Sequence, residues 1–212
     1  MRMTKLGHSC VRLEREGRAI VLDPGIWSGD DPLAGASAVL ITHEHADHID
    51  AAIVRAALER DAAIELWTNG AVAGQFADLG ARVHAVGHGD AFSAAGFDVR
   101  VYGRDHAQIH PDIPVVPNIG FAIDSKVFHP GDSFTVPGEP VEVLLLPVSA
   151  PWLKASETFT YARAVRPKMS YAIHDAILNA NGIGLVGNLA SALLGGEGGA
   201  YARLEPGASV DI

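Results

Sequence analysis

Seven consecutive residues, Thr42-His43-Glu44-His45-Ala46-Asp47-His48, hold three histidines and an aspartate. Neutral imidazole and carboxylate are the ligands that zinc and neighbouring divalent metals prefer, so the chemistry offered is metal binding. In extended backbone, residues two apart point to the same side. His43 and His45 can therefore grip one ion, with Asp47 on that side too. His48 is displaced by one residue, which suits a second ion beside the first better than a fourth ligand to the same ion. A solvated histidine-rich loop is the bland alternative. The density of the cluster and its place at a strand end argue against it.

The elements around the cluster must position it. Ala38-Val39-Leu40-Ile41 is a short apolar run with β-branched members and reads as a buried strand. Asp50 to Arg60 reads as a helix, with Ile53, Val54, Ala57 and Leu58 on one face and Asp50 as its N-cap. The cluster thus lies in a strand-to-helix loop at the carboxyl end of a strand, where α/β sheets bind ligands.

Composition limits the function classes. A chain of 212 residues with 48% hydrophobic and 19% charged residues is globular and long enough for one domain, taken as residues 1–212, with a sizeable core. A net charge of −9 disfavours bulk nucleic-acid binding. No apolar run has membrane-spanning length, and the amino-terminal residues carry no signal-peptide core. Cys10 is the only cysteine, which rules out an internal disulfide and fits the cytoplasm. It is expected to be a small buried strand residue and not a nucleophile. Nothing in the sequence specifies an oligomeric state.

Along the chain, residues 3–6, 10–13 and 19–22 read as strands, with His8 in the first turn, either at the surface or at the rim of a site. Asp23-Pro24-Gly25 ends the third strand. Trp27 follows, to line a pocket mouth or cover the core. Later strands are expected at 64–67, 82–86, 97–102, 118–123, 126–129, 141–148, 168–174, 200–204 and 209–212, with a hairpin partner for 97–102 at residues 91–92. Helices are expected at 70–79, at 156–165 capped by Ser156, and at 182–194, followed by a loop at 195–199. His84 and His88 read as structural or solvent-exposed, and His129 as structural.

His43-x-His45-x-Asp47-His48 resembles the metal motif of the metallo-β-lactamase superfamily, a large group of metal-dependent hydrolases. The resemblance covers nearly the whole chain, and the family's other landmarks appear in order as Asp23, His106, Asp132 and His174. It implies an α/β fold, a four-layer αββα sandwich of two similar halves. It also implies that His43, His45 and His106 hold one divalent ion, that Asp47, His48 and His174 hold another, and that Asp132 bridges them. Asp47 and Asp132 are then the carboxylates of the catalytic centre, and Asp23 steadies the histidine-bearing loop. Zinc is the default metal, with manganese, iron or nickel as alternatives. Two such ions would share a hydroxide that attacks a small ester, lactone, amide or phosphodiester. His8, His110 and Trp152 are the candidate substrate contacts. Asp105 is a candidate support, and Asp175 has no assigned role. The compact length and the Gly-His-Ser and His-Pro-Gly-Asp-Ser stretches resemble the branch that includes ascorbate-phosphate lactonases. A nuclease of the same fold and a non-catalytic metal-binding protein are the competing readings.

Overall fold

A computed structural model describes residues 1–195 and 199–212. The first half contains β1 (Arg2–Gly7), β2 (Cys10–Arg15), β3 (Arg18–Leu22), β4 (Ala38–Ile41), α1 (Ala51–Arg60), β5 (Glu65–Thr68), α2 (Gly70–Gly74) and β6 (Val83–Ala85). The second contains β7 (Ala91–Ala94), β8 (Phe97–Tyr102), β9 (Gly120–Ile123), β10 (Val127–His129), β11 (Val143–Pro147), α3 (Ala155–Val165), β12 (Met169–Ile173), α4 (Ala180–Leu193), β13 (Ala200–Ala202) and β14 (Ser209–Asp211).

Two sheets result, ordered β14-β1-β2-β3-β4-β5-β6 and β13-β12-β11-β10-β9-β8-β7. Each is antiparallel over part of its width and parallel from its middle outward, β3 to β6 in one and β10 to β13 in the other. The alternation of side chains along each strand divides the core into three. Ile20, Leu22 and Leu40 face Phe97, Phe121 and Leu145 between the sheets. Val21, Val39 and Ile41 point the other way, onto Val54 and Leu58 of α1. Leu144 and Leu146 meet Phe159 and Ala162 of α3 on the far side. The layers are therefore helix, sheet, sheet, helix, the αββα sandwich expected from the sequence. The four outermost strands are only three or four residues long, which limits exposed edge backbone.

Cys10 is buried beneath α1, where the apolar surroundings push its thiol up to about 12, so it supplies no thiolate. Three local details differ from expectation. Residues 70–79 do not form one helix: α2 stops at Gly74 and a tighter turn, Ala77–Arg82, follows, broken by Gly80 at φ +67°. Helix α3 starts one residue early, so Ser156 lies inside it. Lys154 occupies the cap, and its backbone N–H donates to the Glu157 carboxylate. Helix α4 begins at Ala180, where the Asn179 side chain accepts from Gly182 N–H. The loop expected at 195–199 lies mostly outside the described residues.

Candidate functional site

Loops from both sheets converge at one end of the sandwich. His8 lies in the β1–β2 turn, Asp23 after β3, the His43–His48 cluster after β4, His106 after β8, Asp132 after β10 and His174 after β12. Backbone bonds tie these loops together: Ile119 N–H donates to Thr42 O and His174 N–H to His8 O across the two sheets, and Ala107 N–H to Asp132 O within the second. His8, Asp23 and His174 all have positive φ, 45°, 47° and 59°, a left-handed backbone that costs an L-residue on the order of 1–2 kcal/mol. Such strain persists where surrounding structure over-determines it, and it gathers at functional sites. Gly25 is required by close approach, because a Cβ there would lie 2.0 Å from Asp47 O.

The candidate ligand atoms form two groups. Those of His43, His45, His106 and Asp132 lie within 4.8 Å of one another, and so do those of His8, Asp47, His48 and His174. Asp132 reaches into both. Its Oδ1 is 3.0 Å from His48 Nε2, and its Oδ2 is 3.3 Å from His106 Nε2 and 3.1 Å from His174 Nε2. Asp47 Oδ2 lies 3.2 Å from His174 Nε2.

The ring partners assign the tautomers. His48 Nδ1 donates to Asp23 Oδ2 at 2.6 Å, His106 Nδ1 to Ala107 O and His174 Nδ1 to Ser149 O. Thr42 Oγ1 gives its own proton to Asp23 Oδ2, so it accepts from His43 Nδ1 at 3.0 Å. Four rings thus donate outward through Nδ1 and turn Nε2 inward, the atom that metal-ligating histidines offer to an ion once it is bare. The Nε2 atoms of His48, His106 and His174, with Asp132 Oδ1, are buried and have no hydrogen-bond partner. Orphaned buried polar atoms are costly, and a cation in each of the two groups, with Asp132 reaching both, would satisfy all four.

His8 has the opposite tautomer. Ala176 N–H donates to His8 Nδ1 at 3.3 Å, so the ring proton sits on Nε2 and points at Asp47 Oδ2, 3.2 Å away. His8 is buried behind Asp47 and edge-on to Trp27, away from the cavity wall. Burial lowers its pKa, against the hydrogen bond to Asp47, and keeps it neutral. It is therefore placed to hold Asp47 and not to meet substrate. His110, the other expected substrate contact, is exposed and turned toward Asp112, while its neighbour Ile109 lines the cavity. His8→Ala should retain two metals but lower activity about 10–100-fold, with His8→Gln recovering much of the loss. His110→Ala should match the parent. Metal analysis and steady-state kinetics of the three variants would check both expectations, and metal loss from His8→Ala would make His8 a ligand.

Asp23 is fully buried and accepts from Thr42 N–H at 2.8 Å, Thr42 Oγ1 at 2.7 Å and His48 Nδ1. Trp152 lines the cavity, and its Nε1–H donates to Asp132 Oδ2 at 2.9 Å. Several supports carry no signal in sequence reasoning. Asn118 donates to Pro130 O and accepts from Asp132 N–H. His129 accepts from Gly131 N–H and donates to Ser9 O. Asp175 pairs with buried Lys5 at 2.8 Å and with Arg203 at 2.7 Å, fixing the turn after His174. Asp105 is exposed, away from the ligand groups.

Burial disfavours charge on both sides of the cluster, but its carboxylates and imidazoles offset this. Asp132 and Asp23 outweigh burial at His48 and raise its pKa. Asp132 and Asp47 raise His174 to about 9. Against the same burial, the histidines hold Asp47 and Asp132 well below the usual carboxylate range. His43 and His45 are lowered, chiefly by burial. Above this floor opens a cavity of about 310 Å³, lined by His45, Asp47, His106, Asp132 and His174 below and by largely apolar side chains around the mouth. The arrangement can hold cations at the bottom of a small pocket and present a substrate to them.

The family described as "Beta-lactamase superfamily domain" matches residues 2–174. Protein Rv0786c of Mycobacterium tuberculosis is 43% identical over 184 residues, covering 84% of this chain and 85% of that one. A UPF0173 metal-dependent hydrolase of Azorhizobium caulinodans is 32% identical over 117 residues, half of each chain. Among solved structures, Igni18, a metallo hydrolase of Ignicoccus hospitalis, superposes with a TM-score of 0.75 at 20% identity, covering 99% of this chain and 97% of that one. YhfI of Bacillus subtilis, a metallo-β-lactamase fold protein, gives 0.73 at 17% identity, covering 99% and 98%. Both likenesses concern the fold.

Proposed function

Because the chain belongs to the metallo-β-lactamase superfamily, we propose that it is a dinuclear metal-dependent hydrolase of a small ester, lactone, amide or phosphodiester. The observation that carries this reading is the set of buried, partnerless atoms on His48, His106, His174 and Asp132, which belong to two adjoining groups of candidate ligands at the cavity floor. His43, His45 and His106 would hold one ion, Asp47, His48 and His174 the other, and Asp132 both. When bound, divalent cations of this kind, zinc by default, supply Lewis acidity and a water acidified toward neutral pH.

The chain's own residues do the rest. Asp23, Ala107 O, Ser149 O and Thr42 fix the four imidazoles by their outward protons, which keeps each Nε2 basic and aimed. Trp152 holds one oxygen of Asp132, and His8 holds Asp47. The apolar walls exclude bulk water, which strengthens every electrostatic interaction at the floor. Among the described residues no lysine or arginine lines the cavity, so the nuclease reading lacks a backbone-binding surface there. The described residues contain no helix long and apolar enough to cross a membrane. A single buried cysteine is in keeping with a cytoplasmic setting.

After zinc reconstitution, elemental analysis should give two ions per chain. Chelation should abolish hydrolysis of at least one member of a chromogenic ester, lactone and phosphodiester panel, and zinc should restore it. Saturation at one ion would sink the dinuclear reading. Two bound ions with no turnover across the panel would leave a metal-binding protein.

A further inference from the structure

We propose that the substrate is a small, uncharged carboxylic ester or lactone bearing an alkyl or aryl group, which Ile26, Trp27 and Ile177 hold at the cavity mouth. This rests on the hydrolytic reading above and narrows it. Charge is confined to the floor, where the histidines and the two carboxylates lie. The walls come from four separate loops and are apolar: Ile26 and Trp27 after β3, Ile109 after β8, Pro151 and Trp152 after β11, and Ile177 after β12.

Exposure points the same way. Ile26 is 54% exposed, Trp27 44% and Ile177 51%, three of the seven most exposed large hydrophobic side chains among the described residues. Exposed apolar side chains that gather over a charged floor mark a surface meant to be covered. The cavity is continuous with them and, at about 310 Å³, is at the small end for ligand sites, room for a short chain or a single ring.

The lining also tells what is not bound. A phosphate or carboxylate remote from the reacting bond would need a cation, and among the described residues no lysine or arginine reaches the cavity. The reacting group therefore meets the floor, and the remainder of the molecule meets hydrocarbon. In the reaction, the oxygen of water bonds to the acyl carbon and the bond to the alcohol oxygen breaks. One proton of the water ends on the alcohol, and the other leaves from the carboxylic acid.

The test uses the zinc-reconstituted full chain and 4-nitrophenyl acetate, butanoate and hexanoate, beside 4-nitrophenyl phosphate and bis(4-nitrophenyl) phosphate. The ester kcat/KM should rise about fourfold per added methylene until the cavity is filled. Both phosphates should trail the hexanoate by more than tenfold. Ile177→Lys should flatten the chain-length dependence. Hexanophenone, which has no hydrolysable bond, should quench tryptophan fluorescence saturably with zinc present or absent, and Trp27→Phe should remove much of the signal. Preference for either phosphate, or indifference to chain length, overturns the proposal and leaves the hydrolytic reading standing. No turnover of all five compounds overturns the proposal, while the chelation and panel experiment above decides the hydrolytic reading separately. A dimer in which Trp27 is already shielded from acrylamide would also overturn it, since a second copy and not a substrate would cover the mouth.

Discussion

Asp132→Asn should lose the metal pair cooperatively and abolish hydrolysis while the fold persists. The carboxylate faces His48, His106 and His174 and accepts from Trp152 Nε1. An amide keeps the shape but not the charge, and it turns a donor toward nitrogens that need a cation. Two divalent ions close together repel strongly, and the shared anion offsets that repulsion. The backbone has its own supports: Asp132 N–H donates to Asn118 Oδ1, and Asp132 O accepts from Ala107 N–H. Gly131 keeps the turn at φ +62°, where a Cβ would lie 2.2 Å from Asn118 Oδ1. Asp23→Asn should be milder, about 10–100-fold in metal affinity, because it acts through the His48 ring. Calorimetric metal titration of both variants, with circular dichroism, separates the cases. Two ions bound to Asp132→Asn at parent affinity would show that Asp132 is not the bridge.

The parts of this site that could be read in one dimension are those that sit together or at a strand end. His43, His45, Asp47 and His48 are a cluster, and β4 before them is a plain apolar run with the observed bounds. His106, Asp132 and His174 became visible through a family resemblance, since each stands alone in its own loop. The alternation of Ile20, Val21 and Leu22 shows a strand buried on both sides, but it does not tell that one face meets a sheet and the other a helix. Asn118 and the Lys5–Asp175–Arg203 group are not legible, because their partners lie in distant segments; for His129 the structural role is legible but its distant partner Ser9 is not. His8 and His110 show the limit most clearly. Both are loop histidines near ligand-bearing strands, yet the Ala176 N–H sets the tautomer of one, and a local turn points the other into solvent. Ser156 was misplaced for a smaller reason. The Glu157 carboxylate satisfies the first orphan N–H of α3, so a serine cap is not needed two residues later.

Zinc loading should release protons, and the two ions should differ in how their affinities depend on pH. Without metal, His174 is raised to about 9 by Asp132 and Asp47 against the effect of burial, and His48 is raised by Asp132 and Asp23 against the same opposition. His174 therefore holds an extra proton at pH 7.5, on the Nε2 that a cation needs bare, and His48 is biased the same way. The sign follows from the raised folded pKa. Protonation stabilises the metal-free fold fully below the unfolded value near 6.5, and this contribution is lost as pH rises through about 9 for His174. Metal competes with those protons, so affinity for the ion that Asp47, His48 and His174 would hold should climb about tenfold per pH unit for each proton displaced, the His174 share levelling off near pH 9. His43 and His45 are lowered, chiefly by burial, and are already bare, so they contribute no such slope to the other ion. Asp47 and Asp132 stay ionised across this range and release nothing. Calorimetry at pH 6.5, 7.5 and 8.5, in buffers of different ionisation enthalpy, counts the protons released with each ion. The expected result is one steep and one shallow binding event, with at least one proton released by the steep one at pH 7.5. Equal slopes for the two ions, or no release at pH 7.5, would mean that His48 and His174 do not share an ion, and the ligands of the second site would have to be reassigned.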